Sequence, residues 1–205
     1  MTAHDLLRAL AERATHLPAP PGEGVCHHVH TRGRYKHTAF HVDGRKLGSS
    51  VQERERRQWI APDGSGRLLV TRGDEEFPPT GDYPPGGLSA EFLTATDPAV
   101  LAAAIRDRNP NGTTAGAIRA FVRTWNNQVV TAAVQRALLL DLAGHPDLTF
   151  DGPVTDHAGR PGVAVSHAEG GRLVFDEDTG ALLGAHRGSS VTVWLSSGYA
   201  ASPTA

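Results

Sequence analysis

The chain holds a single cysteine, Cys26, in 205 residues, so no internal disulfide framework can form. It also lacks a basic surplus: 20 Lys and Arg stand against 22 Asp and Glu, a formal charge of −2. That balance argues against a general nucleic-acid or anionic-membrane binder. No apolar run approaches the ~18 residues of a membrane span, so the chain is expected to contain none. Catalytic signatures are missing too. There is no HExxH and no Gly-x-Ser-x-Gly. Gly64-Ser65-Gly66 lacks the Lys-Ser/Thr ending and the following helix that a phosphate loop needs. No cofactor is expected and no residue merits a catalytic role.

What is present is the composition of a folded domain, with 39% hydrophobic and 20% charged residues. The 23 glycines and 14 prolines suit a turn-rich fold containing β-structure. Leu6, Leu7, Leu10, Ala11, Ala14 and Leu17 form a 3,4-spaced stripe, with Thr2 as N-cap and Pro18 as the stop. Asp5, Arg8, Glu12 and Arg13 among them mark an amphipathic helix and not a signal peptide. The location follows from the start: cytoplasmic if Met1 is native, cell envelope if an anchor precedes it.

Three further helices are expected within 97–143, opened by Asp97-Pro98, by Thr113 or Thr114, and near Val130. Before them, residues 73–96 read as a long loop carrying Phe77, Tyr83 and Phe92, which either close over an apolar ligand or pin the loop down. After them, residues 146–187 hold four short apolar runs divided by turn clusters such as Asp156-His157-Ala158-Gly159-Arg160. Connections this short join only antiparallel neighbours, so the stretch is a β-meander. A last strand is expected over Val191–Leu195, and 196–205 as a flexible tail.

In the first half, Gly24–Thr31 alternates as a strand with Cys26, His28 and His30 on one face. Thiolate and imidazole are zinc and copper ligands, so the face is a candidate for a metal-dependent hydrolase. Its spacing matches no ligand signature, and a solvent-facing, histidine-rich strand explains it better. Arg34-Tyr35-Lys36 reads as a hairpin or a bulged connection, Gly48-Ser49-Ser50 as a flexible joint, and Val51–Ala61 as a strand with a charged middle. Glu53 and Glu55 have no apolar surroundings to raise a pKa, so they read as a solvated face.

Strands on both sides of a helical block make an α+β fold of one domain over 1–195: an open, curled antiparallel sheet, or half-barrel, with helices on its concave face. A cleft between helices and sheet is a common ligand site. Its candidate walls are Phe40, Trp59, Leu68, Phe121, Trp125, Leu138 and Phe175, each of which plain core packing also explains.

WIAPDGSGR (59–67), DLTFDGPVTDHAGRPGVAV (147–165) and LVFDEDTGALLGAHR (173–187) resemble stretches of an uncharacterised family of high-GC bacteria, named by locus tags and often encoded beside sigma factors. In that family an N-terminal segment and one membrane helix typically precede a domain that begins with a helix like DLLRALAERA (5–14). The element order is also similar to the lipoprotein-carrier (LolA-like) fold. The resemblance implies a domain outside the membrane that binds a lipophilic small molecule, a lipid or a hydrophobic peptide. It further implies a sensor role with a regulatory protein partner in sigma-factor control. A third reading is a protein-binding module acting through an exposed strand edge.

Overall fold

The computed structural model describes residues 1–203, apart from the side chains of His37, Ala39 and Phe40. Four helices, α1 (Ala3–Ala14), α2 (Pro98–Asp107), α3 (Thr114–Asn127) and α4 (Ala132–Ala143), accompany ten strands. The strands are β1 (Cys26–Phe40), β2 (Lys46–Ile60), β3 (Gly66–Arg72), β4 (Glu75–Glu76), β5 (Gly81–Tyr83), β6 (Thr149–Thr155), β7 (Pro161–His167), β8 (Gly171–Phe175), β9 (Leu182–Arg187) and β10 (Ser190–Ala200). They form one antiparallel sheet in the order β4-β3-β2-β1-β10-β9-β8-β7-β6, with β5 also on β3. The fold is α+β, and the sheet is open: it is not closed into a barrel. The last strand, β10, lies against the first, β1, and so joins the two halves of the sheet.

Local chemistry explains the helices. Thr2 and Asp5 form a reciprocal capping box at the start of α1. Asp97 accepts from the amides of Ala99 and Val100 before Pro98, and Thr113 and Thr131 cap α3 and α4. The stripe of α1 buries Leu6, Leu7 and Leu10 against α4 and the sheet. Such side chains contribute ~1.5–3 kcal/mol each when fully buried. The core is the layer between helices and sheet, where Val163, Val165, Leu173, Phe175 and Trp194 meet Phe121, Leu138 and Leu142. A small cluster of Ala164, Val174 and Leu183 lies on the opposite sheet face.

The first hairpin departs from expectation. No connection occurs at Arg34-Tyr35-Lys36, for β1 runs on to Phe40 and turns through Asp43-Gly44. Gly48, Ser49 and Ser50 are no joint but strand residues, paired with Ala39, Thr38 and His37. Beyond the Arg34–Val191 pair β10 no longer flanks β1, and beyond the Glu55–Thr71 pair β3 no longer flanks β2. The hairpin therefore projects past the sheet as a two-stranded arm. Nor are residues 196–200 a free tail, because β10 continues through Ala200, opposite Cys26, and Tyr199 donates its amide to the Pro21 carbonyl at 2.8 Å. Backbone pairing on both sides of this segment overrides its small, polar composition.

The stretch 73–96 is pinned. Its strands β4 and β5 both pair with β3. Phe77 lies under the guanidinium groups of Arg54 and Arg72, and Phe92 packs on His27 with ring centroids 4.0 Å apart. Leu93 is buried, and its amide and carbonyl both bond the side chain of Gln128.

Candidate functional site

Alternation along β1 and β2 assigns the two faces of the sheet. His27, Val29, Thr31 and Gly33, with Ile60, Gln58, Arg56 and Arg54 opposite or beside them, look toward the helices. His28, His30, Trp59, Arg57 and Glu55 look away. Helix α3 is fixed above the first set by its C-terminal backbone. The Gln58 side chain donates to the Asn126 carbonyl, Trp194 Nε1 donates to the Trp125 carbonyl at 3.0 Å, and His27 Nδ1 accepts from the Val129 amide at 2.9 Å. Carbonyls that a helix end leaves unpaired are thus satisfied by the sheet. That seat needs His27 neutral with Nδ1 as acceptor, and burial does push its pKa down.

At the N-terminal end of α3 a glycine permits the close approach. A Cβ on Gly170 would stand 2.5 Å from Ile118 Cδ1 and 3.3 Å from Ala115 Cα. Between these two anchor points α3 and the sheet leave a cavity of about 340 Å³. Its apolar floor comes from Ile118, Val122, Leu173 and Ala185, and Thr192 and Ser190 of β10 add hydroxyls. Gly33, beside Thr192 in register, contributes no side chain, and a Cβ there would overlap the Tyr35 ring, which folds back over it.

Arginine dominates the polar lining. Arg56 enters from β2, Arg119 and Arg123 from α3, and Arg187 from β9. Arg172 of β8 belongs by strand parity to the outer face, where it holds Asp151 at 2.6 Å. No Asp or Glu lines this cavity among the described residues. A second cavity of about 320 Å³ lies between α2 and α4 around Leu101, Leu140 and Asp141. Burial pushes the Asp141 carboxyl up, and His145 and Arg106 act against that.

The residues singled out in the sequence are distributed differently. Phe121, Trp125, Leu138 and Phe175 are buried in the helix–sheet core, where Phe121 meets Phe175 edge-on at 5.7 Å. Leu68 is buried on the helix-facing side of β3. Trp59 sits on the opposite face, stacked on His28 at 4.7 Å, so it cannot wall a concave site. The Phe40 side chain lies outside the described residues. None of the six described candidates lines the 340 Å³ cavity. Large apolar side chains close the core, and the space remains where arginines and small residues face each other.

Cys26, His28 and His30 share a face but do not converge. Cys26 is buried, with its thiol pushed up by burial and by Asp63. His28 stacks on Trp59, and His30 Nε2 bonds Glu55 at 3.1 Å. Among the described residues no group of three or more His, Cys, Asp and Glu could hold a metal ion. Burial works against the Glu55 charge, yet hydrogen bonds and charge from His30 and Arg32 outweigh it and hold the carboxyl below its usual range. With Arg57 also 3.6 Å away, Glu55 is an ion-paired surface group, not a proton-transfer base.

No protein-family model matches the chain, and no curated protein or solved structure matches it either. No helix among the described residues is long and apolar enough to cross a membrane.

Proposed function

We propose that this chain is a non-catalytic binding domain that takes a lipophilic ligand, an acyl chain or the side chains of a hydrophobic peptide, between α3 and the sheet. The observation that carries the reading is the cavity of about 340 Å³ with Ile118, Val122, Leu173 and Ala185 as its floor. Its volume falls within the ~300–1,000 Å³ of small-molecule sites. An open sheet with helices on its concave side is an arrangement of the lipoprotein-carrier kind, and we read the chain as a relative of that fold. In the same proposal it serves as a sensor in the cell envelope, tied to sigma-factor control through a regulatory protein.

Native mass spectrometry of protein purified without detergent tests the binding reading. A mass adduct that releases a lipid or hydrophobic peptide on activation supports it. Protein that is free of adducts and takes up no long-chain probe contradicts it.

A second reading has one observation in its favour. The β1–β2 arm projects beyond its flanking strands with Val42, Leu47 and Val51 exposed. Such an edge suits a partner that adds a strand. Replacing residues 37–50 by Asn-Gly, which joins the paired residues Lys36 and Val51, would abolish capture of that partner and leave lipophilic binding unchanged.

A further inference from the structure

We infer that the cavity recognises a single-chain amphiphile by its anionic head, a carboxylate or a phosphate, held on Arg56. The inference rests on the lipophilic-ligand reading and narrows it to a ligand class.

The charges around the cavity are unevenly matched. Arg123 is paired with Glu91 and Arg172 with Asp151. Arg56, Arg119 and Arg187 have no carboxylate partner among the described residues. Arg119 and Arg187 are exposed, so water solvates them. Arg56 is in a different position. It projects from the middle of β2 toward the helices, half-buried, in register with Val70 of β3. Its guanidinium makes no hydrogen bond or ion pair to any described residue. Burial lowers its pKa from the ordinary arginine value, and Tyr35 and Tyr83 act weakly against that.

A half-buried guanidinium without a counter-charge keeps only part of its hydration, which is unfavourable in the ligand-free protein. An anion entering the cavity removes that penalty and gains a charge-assisted pair. The planar fork of arginine matches both oxygens of a carboxylate or phosphate at once. Chain and head are served by different walls: Ile118, Val122 and Leu173 offer apolar surface beside the guanidinium. At about 340 Å³ the cavity is at the small end of ligand sites, which suits one chain and not two.

Isothermal titration with dodecanoate, dodecyl phosphate and dodecanol, each below its micelle concentration, tests the inference. Probes are compared on the wild type, Arg56→Gln, Arg56→Lys and the control Arg67→Gln, whose arginine pairs with Asp82 outside the cavity. At least one anion should bind the wild type about tenfold or more tightly than the alcohol, the gain expected of a charged hydrogen-bonded pair. Arg56→Gln should erase that gap with dodecanol affinity unchanged, Arg56→Lys should keep part of it, and Arg67→Gln all of it. Preference for dodecanoate alone assigns a carboxylate head, and for dodecyl phosphate alone a phosphate; either supports the inference. Equal affinity for all three probes, or a gap that survives in a folded Arg56→Gln, overturns the head-group inference and leaves the lipophilic reading standing. Binding of none of the three overturns the head-group inference together with the acyl-chain form of the lipophilic reading. Should Arg56→Gln fail to fold, Arg56→Lys decides: a full gap retained by lysine at 0.5 M salt overturns the bidentate pairing.

Discussion

Arg160 grips the buried carboxylate of Asp156 in the turn between β6 and β7, with Nη2 2.6 Å and Nε 2.9 Å from Oδ2. The same guanidinium donates to the carbonyls of Trp194 in β10 and Leu183 in β9, at 2.8 and 2.9 Å. Asp156 Oδ1 in turn accepts the amides of Ala158 and Arg160. One turn is thereby tied to two strands distant in sequence. The DHAGRPG stretch is a structural latch, and it holds the wall strands β9 and β10 of the cavity in place.

Replacing Arg160 by alanine removes the guanidinium from the buried Asp156 carboxylate and leaves it only its backbone amide donors. The expected loss is ~3–5 kcal/mol of unfolding free energy, or roughly 6–20 °C at ~2–4 °C per kcal/mol for a chain of this size. Urea denaturation measures it. An Arg160→Ala protein as stable as wild type would show that the latch carries no load.

Gly170→Ala should separate binding from folding. The new Cβ meets the flexible end of Ile118, which must move, and Ile118 lines the cavity. Stability should fall by less than about 1.5 kcal/mol, while affinity for a long-chain probe falls about tenfold. Parallel thermal melts and titrations give both numbers, and unchanged affinity would place the ligand elsewhere.

Arg56→Gln should raise the stability of the ligand-free protein by about 1 kcal/mol, since it removes a half-buried charge that no described residue pairs. The melting temperature should rise by roughly 2–4 °C. A fall in melting temperature would mean that Arg56 supports the fold.

Acid should weaken the fold before the carboxylates titrate. Burial depresses the folded pKa of His27, and of His28 and His186, where His30 and Arg57 or His157 and Arg172 add to it. Below the ordinary histidine value of about 6.5, the unfolded chain takes up protons that the folded one refuses. Stability is then intact above pH 6.5 and declines as the pH falls toward the depressed values, by up to about 1.4 kcal/mol per pH unit for each histidine. His27→Asn, which keeps an acceptor for the Val129 amide, should lessen the slope between pH 7 and 5. A slope identical to wild type would remove His27 from the account.

Much of this architecture was legible because turns and caps are written locally. Thr2 with Asp5, Asp97-Pro98 and the Asp-Gly-type turns of 146–187 each announce one conformation. The long arm was not legible: Arg34-Tyr35-Lys36 and Gly48-Ser49-Ser50 read as breaks, and a strand exposed on both faces has no apolar alternation to betray its register. The same holds for Gly198 to Ala200, ordered only by β1 and Pro21. Among the candidate walls, Phe121, Trp125, Leu138 and Phe175 followed the ordinary rule for large apolar side chains and joined the core. Arg56 escaped notice because among Glu53, Arg54, Glu55 and Arg57 it looks like one more solvated charge. Only the packing of α3 over β2 sets it apart. A usable signal did exist in α3: Arg119 and Arg123 stand one residue after Ile118 and Val122, a mixed stripe on the face that lines the cavity.

The most direct test of the binding reading is a titration with 11-(dansylamino)undecanoate, comparing wild type with Val122→Trp. Val122 is half-buried on the cavity side of α3, so an indole there fills the space without entering the core. The wild type should show one saturable site with blue-shifted emission, and Val122→Trp should lose it while melting within a few degrees of wild type. Equal binding by both proteins, or no binding by either, would contradict a lipophilic site between α3 and the sheet.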